Sequence, residues 1–321
     1  MSQTSPADTS IIAERSSSSV LSACIEATKP GITRLVTITA LVGLLLAGLH
    51  AGDLTLTAWI RLALGVTFGT ALAAGGANAL NMWYESDRDA RMGRTASRPI
   101  PSERLSPTFV FWYGLALIIA GTAIVHFTSG VMPALVVLAS ASSYIILYTP
   151  LKPLTIWNTL VGAIPGALPT MIGTAAVSKA EGFDALADPI GLALFALMMV
   201  WQIPHFLAIA WMCKADYEKG GFRMLPVVDP TGRLTAIIMV ATAVLLIPVS
   251  ASIVLVIPDL LGWPTLVACI ILGLMLVALC VRVAVHPTET VARKAFIGSI
   301  IQLPVLLMIM VAEALIRTAI A

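Results

Sequence analysis

Three polar residues stand at regular intervals at the end of the second long apolar segment of the sequence. Asn81, Glu85 and Asp89 are spaced i, i+4, i+8, so on an α-helix they share one stripe about 12 Å long. Two carboxylates one turn apart repel each other, and a divalent cation relieves that repulsion. Mg²⁺ needs only one or two carboxylates when substrate phosphates supply further oxygen ligands. The stripe therefore favours a magnesium–phosphate site, with a solvated helix end of mixed charge as the alternative.

Five arginines follow the stripe, at positions 88, 91, 94, 98 and 104. A planar guanidinium group binds two phosphate oxygens at once. Trp83 and Tyr84 place the edge of the membrane at this level of the chain. Carboxylates and arginines gathered at that edge favour the chemistry of a Mg²⁺-bound diphosphate. The basic character of cytoplasmic loops accounts for part of the cluster without any ligand.

A second polar stretch closes the sixth apolar segment. Gln202 and His205 lie at bilayer depth, where polar side chains are costly and commonly face the bundle interior, and Pro204 between them is expected to kink the helix. A histidine satisfied within the core is the alternative for His205. Asp216 follows in the next loop, 127 residues after Asp89 and four spans further on. These positions suggest two halves that each donate a carboxylate-bearing helix end to a central cavity.

The composition excludes a water-soluble globule. Of 321 residues, 58% are hydrophobic and 11% are charged, and the mean hydropathy is +0.94, whereas an ordinary soluble domain has about 25% charged residues. Four cysteines are too few for a secreted disulfide scaffold. The net charge of +2 gives no indication of nucleic-acid binding.

Nine apolar runs are each long enough to cross a ~30 Å hydrocarbon core as a helix. They are continuous, whereas the strands of a membrane β-barrel alternate in polarity. We therefore predict an all-α, polytopic membrane protein. The predicted spans are 34–50, 62–84, 108–127, 131–148, 156–176, 189–212, 235–257, 264–284 and 295–316.

The basic residues predict the orientation, because cytoplasmic loops are enriched in Lys and Arg. Sixteen of the 19 fall on the side of the amino terminus, and Arg61, Lys179 and Arg317 fall on the other. This places the amino terminus in the cytoplasm and the carboxyl terminus outside. We expect residues 1–28 to be a disordered leader and residues 29–321 to be the membrane domain. The leader contains acidic residues and is a poor mitochondrial presequence, which favours a bacterial inner membrane over a mitochondrial one.

The ordered set of motifs resembles a known family. Asn81-x-x-x-Glu85-x-x-x-Asp89 is similar to the N-x-x-x-D/E-x-x-x-D motif of the UbiA-type intramembrane prenyltransferases. Residues 148–152 (Tyr-Thr-Pro-Leu-Lys), 201–206 (Trp-Gln-Ile-Pro-His-Phe), 224–228 (Met-Leu-Pro-Val-Val) and the Lys-Pro pair at 29–30 resemble the haem-farnesylating branch of that superfamily. Many members pair a second carboxylate with the one at Asp216. Here the positions four residues before and after hold Met and Gly, which puts a fully ligated second Mg²⁺ in doubt.

The resemblance implies nine helices around a central, lipid-facing cavity. It implies farnesyl transfer from a Mg²⁺-bound farnesyl diphosphate to the 2-vinyl group of haem b, giving haem O, with haem A synthase or oxidase assembly factors as candidate protein partners. It further implies metal ligation by Glu85, Asp89 and Asp216 with Asn81 nearby, diphosphate binding by Arg98, Lys152 and Lys214, and contact of His205 with the haem iron or a propionate.

Two other functions suit the same sequence. A UbiA-type enzyme could prenylate a different acceptor, such as an aromatic acid or a quinone precursor. A membrane transporter would use intramembrane polar residues and broken helices, but the charges of this chain gather at one membrane edge and few lie at the midplane. Prenyl transfer also explains why a charged edge adjoins an apolar interior, since an allylic carbocation must be kept from water.

Overall fold

The computed structural model describes residues 20–320, and this part of the chain consists of helices and loops without a strand. Nine of its helices are long and apolar enough to cross a membrane. The prediction of nine spans in an all-α membrane protein is thereby confirmed. The spanning helices are α2 (Pro30–Ala51), α3 (Leu56–Asp89), α4 (Pro107–Ser129), α5 (Val131–Leu151), α6 (Asn158–Val177), α7 (Pro189–Met212), α10 (Arg233–Val256), α11 (Trp263–Val285) and α12 (Glu289–Ile320).

Helix α3 carries the carboxylate stripe, and its length explains where the stripe lies. It begins after Thr55, whose hydroxyl accepts a hydrogen bond from the backbone N–H of Ala58. Its 34 residues extend for about 51 Å, well beyond the ~30 Å thickness of a hydrocarbon core. Its last turns, with Glu85 and Asp89, therefore reach the membrane edge.

The spanning helices follow one another around a ring, in which α3 packs on α4, α7 on α10, α11 on α12, and α12 returns to α2. Glycines permit the closest crossings. A Cβ at Gly76 of α3 or at Gly121 of α4 would collide with a carbonyl oxygen of the other helix. Small residues at such crossings let the helix backbones approach closely. In lipid this close packing holds helices together, because the hydrophobic effect does not drive their association there.

Spans α5, α6 and α7 are each irregular or contain a proline where they face the centre of the ring. The end of α5 passes through a π-helical turn, Ser143–Tyr148, a feature that is frequent at functional sites. Helix α6 is interrupted between Ala167 and Pro169, and the hydroxyl of Ser140 donates to the carbonyl of Pro165 at 2.9 Å. Pro204 lies inside α7, as the sequence indicated.

The leader prediction is wrong for its last residues. Val20–Ala27 forms a helix, α1, rather than a disordered segment. Its buried face, Ala23 and Ala27, packs against Ala79 and Met82 of α3, because small side chains let a short helix lie close to a long one. The residues before Val20, and with them the rest of the predicted disorder, lie outside the described part of the chain.

The two polar stretches meet at the same end of the bundle, as predicted. Short helices α8 (Lys214–Lys219) and α9 (Leu225–Val228) follow α7 at this end. The Arg88 side chain donates to the carbonyl of Gly220 at 2.9 Å and lies over the Phe222 ring, 5.6 Å from its centroid. These contacts join the end of α3 to the loop after α8.

Candidate functional site

A cavity of about 600 Å³ occupies the centre of the ring. One end is polar and the remainder is lined mainly by aliphatic and aromatic side chains, a composition typical of sites that orient an apolar ligand through a few polar groups. The polar end contains Lys29, Asn81, Glu85, Asp89, Arg94, Arg98, Tyr144, Tyr148, Lys152 and Tyr217. The predicted stripe, Arg98, Lys152 and His205 are thus all brought to one cavity.

Asn81 is held at both ends of its amide. Its Oδ1 accepts from the Lys29 ammonium at 2.6 Å, and its Nδ2 donates to the hydroxyl of Thr149 at 3.0 Å. That hydroxyl donates to the carbonyl of Tyr144 within the π-helical turn of α5, at 2.8 Å. The residue before α2 is therefore linked to α3 and α5 through one buried amide at the start of the stripe.

Glu85 is paired with a lysine from α5's end. Its Oε1 lies 2.7 Å from the Lys152 ammonium, which also lies over the ring of Tyr148, 4.6 Å from the centroid. Burial alone would lower the pKa of Lys152, but the Glu85 carboxylate and Tyr148 outweigh it and raise that pKa. Lys152 is consequently a permanent cation at the cavity wall.

Asp89 is fully buried and is bonded on one side only. Its Oδ2 lies 2.6 Å from Nη1 of Arg98, whereas its Oδ1 has no hydrogen-bond partner. The backbone carbonyl of Asp89 accepts from the Thr95 hydroxyl at 2.9 Å, which folds the following loop back so that Arg98 can reach the carboxylate. A buried carboxylate oxygen without a partner costs free energy unless a ligand reaches it.

The residues present fit a magnesium–diphosphate pair. Glu85 and Asp89 supply carboxylate oxygens, and the unpartnered Oδ1 of Asp89 is the type of acceptor that a cation binds. Within residues 20–320 no three His, Cys, Asp or Glu side chains are close enough together to hold a metal by themselves. Substrate oxygens would therefore have to complete the coordination, as is usual for Mg²⁺.

Asp216 and Lys214 differ from the sequence-based expectation, because neither lines the cavity. Helix α7 ends at Met212, and Cys213 leaves the helical conformation, so α8 starts in a new direction. Tyr217, the residue after Asp216, lines the cavity instead. Burial raises the pKa of its hydroxyl to about 12. Asp216 Oδ1 lies 3.8 Å from the place that a Cβ would occupy at Gly93, beside the loop that follows Asp89.

The motif resemblance includes Lys29 but implies no role for it, and the structure places its side chain in the cavity. Its backbone is left-handed, with φ 47°, a conformation that costs about 1–3 kcal/mol for a non-glycine residue and is found at functional sites. Burial, together with the nearby charges of Arg98 and Lys152, lowers the pKa of Lys29 to about 7, against the attraction of Glu85. Arg98 and Lys152 therefore disfavour the charged form of Lys29 at this end of the cavity, and an anionic ligand there would favour it.

Arg94 and Tyr217 contact each other in the cavity, and the spacing of the motifs does not predict this contact. Both line the cavity, and the Arg94 guanidinium lies 5.9 Å from the centroid of the Tyr217 ring. Arg94 belongs to the predicted arginine cluster, but Tyr217 comes from α8. Their contact closes the polar end with one residue from each polar stretch.

The apolar part of the cavity contains the two intramembrane polar residues of α7. Gln202 is buried and donates to the carbonyls of Met198 and Ala163, at 2.9 and 3.3 Å. His205 stacks on Trp201, with ring centroids 4.7 Å apart, and its Nδ1 lies 2.8 Å from the hydroxyl of Ser299 on α12. The amide nitrogen of Gln202 is bonded to the backbone, whereas His205 keeps one ring nitrogen for the cavity.

Sequence comparison agrees with this geometry. A model of the UbiA prenyltransferase family matches residues 36–301. The chain is 41% identical over 288 residues to the protoheme IX farnesyltransferase of Solibacter usitatus, which covers 88% of this chain and 95% of that protein. It is 36% identical over 288 residues to the protoheme IX farnesyltransferase of Salinibacter ruber, covering 89% and 96%.

Solved structures share the fold at low sequence identity. A digeranylgeranylglyceryl phosphate synthase structure has a TM-score of 0.71 at 15% identity, covering 92% of this chain and 98% of that chain. A UbiA homologue from Archaeoglobus fulgidus bound to GPP and Mg²⁺ has a TM-score of 0.51 at 15% identity, covering 88% and 99%. The family match covers most of the sequence, and the chain therefore belongs to the UbiA prenyltransferase family.

Proposed function

We propose that this chain transfers a farnesyl group from farnesyl diphosphate to the vinyl group of haem b, with Mg²⁺, to give haem O. The observation that carries the proposal is the carboxylate stripe of α3, whose Asp89 keeps an unpartnered buried oxygen at the charged end of an otherwise apolar cavity. The names of the relatives at 36–41% identity support haem as the acceptor.

The charged end of the cavity would bind the diphosphate. Glu85 and Asp89 would hold Mg²⁺, and the fold neighbour bound to GPP and Mg²⁺ supports the use of Mg²⁺ with a prenyl diphosphate in this fold. When bound, the metal neutralises charge that develops on the leaving diphosphate. Lys152 and Arg98 are paired with these carboxylates, so a diphosphate would give each cation a second anionic partner at the same place.

The apolar part would hold the farnesyl chain and the acceptor. Breaking the allylic C–O bond leaves a carbocation, and the aliphatic and aromatic walls keep water from it until it is attacked. A new C–C bond then forms between the farnesyl C1 and the terminal vinyl carbon. The cation left on the inner vinyl carbon takes the oxygen of a water molecule, which loses a proton, so farnesyl diphosphate, haem b and water give haem O and diphosphate.

The distribution of basic residues supports an orientation for this reaction. We place the charged end of the cavity at the cytoplasmic face of a bacterial inner membrane, where soluble farnesyl diphosphate is accessible, and the carboxyl terminus outside. The product would pass to haem A synthase or to oxidase assembly factors. The orientation is tested with single-cysteine variants that carry Arg91→Cys or Lys179→Cys. Each cysteine is labelled from either side of inverted vesicles.

The direct test uses the purified full chain in lipid nanodiscs with haem b, farnesyl diphosphate and Mg²⁺. We expect a product with the mass of haem O, and no product when Mg²⁺ is removed by chelation. Glu85→Gln should abolish turnover, whereas Asp87→Asn, on an exposed residue of the same helix, should not. Turnover of a phenolic acceptor but not of haem b would assign the other acceptor class.

A further inference from the structure

Ser299 is placed to decide which nitrogen of His205 faces the cavity. The Ser299 side chain is fully buried, and its hydroxyl lies 2.7 Å from the carbonyl of Phe296 and 2.8 Å from Nδ1 of His205. A carbonyl oxygen can only accept, so the single hydroxyl proton must point to Phe296. The hydroxyl oxygen is then the acceptor for His205, and Nδ1 must carry the imidazole proton.

The other nitrogen, Nε2, is consequently left with its lone pair. It has no hydrogen-bond partner among the described residues, and the His205 side chain lines the cavity. A neutral imidazole with a free Nε2 is a metal ligand. It cannot donate a hydrogen bond from that nitrogen, so it would repel a propionate carboxylate rather than bind it. Of the two haem contacts that the sequence left open, the tautomer favours the iron.

The orientation of the imidazole is fixed from three sides. Trp201 stacks against it at an interplanar angle of 19°, and the Trp201 indole N–H donates to the backbone carbonyl of Ser299 at 3.2 Å. The Phe296 ring lies on α12 with its centroid 5.2 Å from that of the imidazole. One residue, Ser299, therefore positions both stacked rings, through its hydroxyl and its carbonyl.

The depth of His205 suits this role. It lies seven residues before the end of α7, which corresponds to about 10 Å of helix, whereas Glu85 and Asp89 lie at the membrane edge. A porphyrin held by its iron at His205 would extend from the apolar part toward the charged end, where the allylic C–O bond of farnesyl diphosphate breaks.

We propose that His205 is an axial ligand of the haem iron through Nε2, and that Ser299 is a positioning residue that fixes the required tautomer. This rests on the proposed function, in which haem is the acceptor. The pattern is the usual one for metal-binding histidines, whose second ring nitrogen donates to an oxygen that sets the orientation, and loss of such a partner costs about 10–100-fold in metal affinity.

The test is binding, measured apart from turnover. The purified full chain in nanodiscs is titrated with ferric haem b, followed by its absorption and electron paramagnetic resonance spectra, and separately with metal-free protoporphyrin IX, followed by fluorescence. We expect His205→Ala to remove the histidine-ligand spectrum and to weaken haem binding by about tenfold or more, while protoporphyrin IX affinity is unchanged. Added imidazole should restore the spectrum. His126→Ala, an exposed histidine on α4, should behave as the parent protein.

Ser299→Ala separates positioning from packing. We expect it to weaken ferric haem binding by about tenfold and to give a mixed-ligand spectrum, without changing protoporphyrin IX binding. A parent-like spectrum in His205→Ala, or equal losses for both porphyrins, would overturn iron ligation. Ligation that depends on His205 but not on Ser299 would overturn the positioning role. If haem O is formed equally well by His205→Ala, iron ligation is not needed for the reaction and the proposed function stands. If His205 binds the iron but no haem O is formed, the ligation stands and the proposed function fails.

Discussion

Asp89 and Arg98 form an ion pair that engages only one of the two oxygens of the Asp89 carboxylate. Arg98 Nη1 lies 2.6 Å from Oδ2, and Oδ1 stays buried without a partner. The loop between these residues returns to α3 in nine positions, so the pair is local in sequence and rigid in space. A carboxylate held in this way keeps one oxygen for a cation and brings a guanidinium to the same point.

Asp89→Asn should lower turnover by about 100-fold or more, because the variant keeps the shape of the side chain but loses the charge that would hold Mg²⁺ against the diphosphate. The measurement is haem O formation at saturating farnesyl diphosphate over a Mg²⁺ titration. Asp87→Asn makes the same chemical change on an exposed neighbour and should stay close to the parent rate. Equal rates for the two variants would remove the metal role from Asp89.

Lys29→Met should raise the KM for farnesyl diphosphate by about tenfold or more, because a charge-assisted hydrogen bond to a phosphate oxygen is lost. The substitution keeps the length of the side chain, and Asn81 retains its bond to Thr149. Arg34→Met, on an exposed residue of α2, the helix that follows Lys29, serves as the control. A fall in kcat at unchanged KM would instead assign Lys29 to the chemical step.

The parts of this architecture that depend on local pattern could be predicted from the sequence. The nine spans follow from apolar runs, and the i, i+4, i+8 spacing of Asn81, Glu85 and Asp89 brings them to one face of any helix. The common end of the two polar stretches follows from the even number of spans that separates them. These inferences need no knowledge of which helices touch.

The remaining features depend on contacts between distant segments. The approach of Lys29 to Asn81 spans 52 positions, and that of His205 to Ser299 spans 94, so neither pair has a spacing that sequence can show. A serine in an apolar span is an ordinary residue until a histidine is found beside it. The inward turn of Tyr217 in place of Asp216 is set by the break at Cys213, which no proline or glycine marks.

Gly173→Ala should destabilise the bundle. A Cβ at Gly173 would collide with the backbone carbonyl of Ala40 on α2, and backbone atoms in packed helices cannot yield as a side chain can. Overpacking of this kind costs about 1–3 kcal/mol, so the unfolding temperature in detergent should fall. Gly31→Ala adds the same methyl group where nothing lies within 4 Å and should leave that temperature unchanged. Because Ala favours the helix more than Gly does, matching falls in both variants would mean that the close crossing at Gly173 is not the cause of the loss.

The Asp229 carboxylate binds the start of α10 and should make stability depend on pH. Its Oδ2 accepts from the backbone N–H and the hydroxyl of Thr235, each at 2.9 Å. Burial alone would raise the pKa of Asp229, but these hydrogen bonds outweigh it and hold that pKa below its ordinary value. A group whose pKa is depressed in the folded state contributes stability above its unfolded pKa, about 3.9, and loses it as the pH falls through the folded value.

Asp229→Asn should therefore reduce the stability of the protein by about 1 kcal/mol at pH 7, the difference between charged and neutral hydrogen bonds. The difference from the parent protein should shrink as the pH falls below about 3.9, the unfolded pKa, and through the lower folded pKa of Asp229, because the parent then loses the same charge. Unfolding temperatures in detergent at several pH values measure this, with Asp184→Asn on an exposed residue as the control. A difference that stays constant down to the lowest pH would mean that the amide disturbs packing, and that the charge of Asp229 does not stabilise α10.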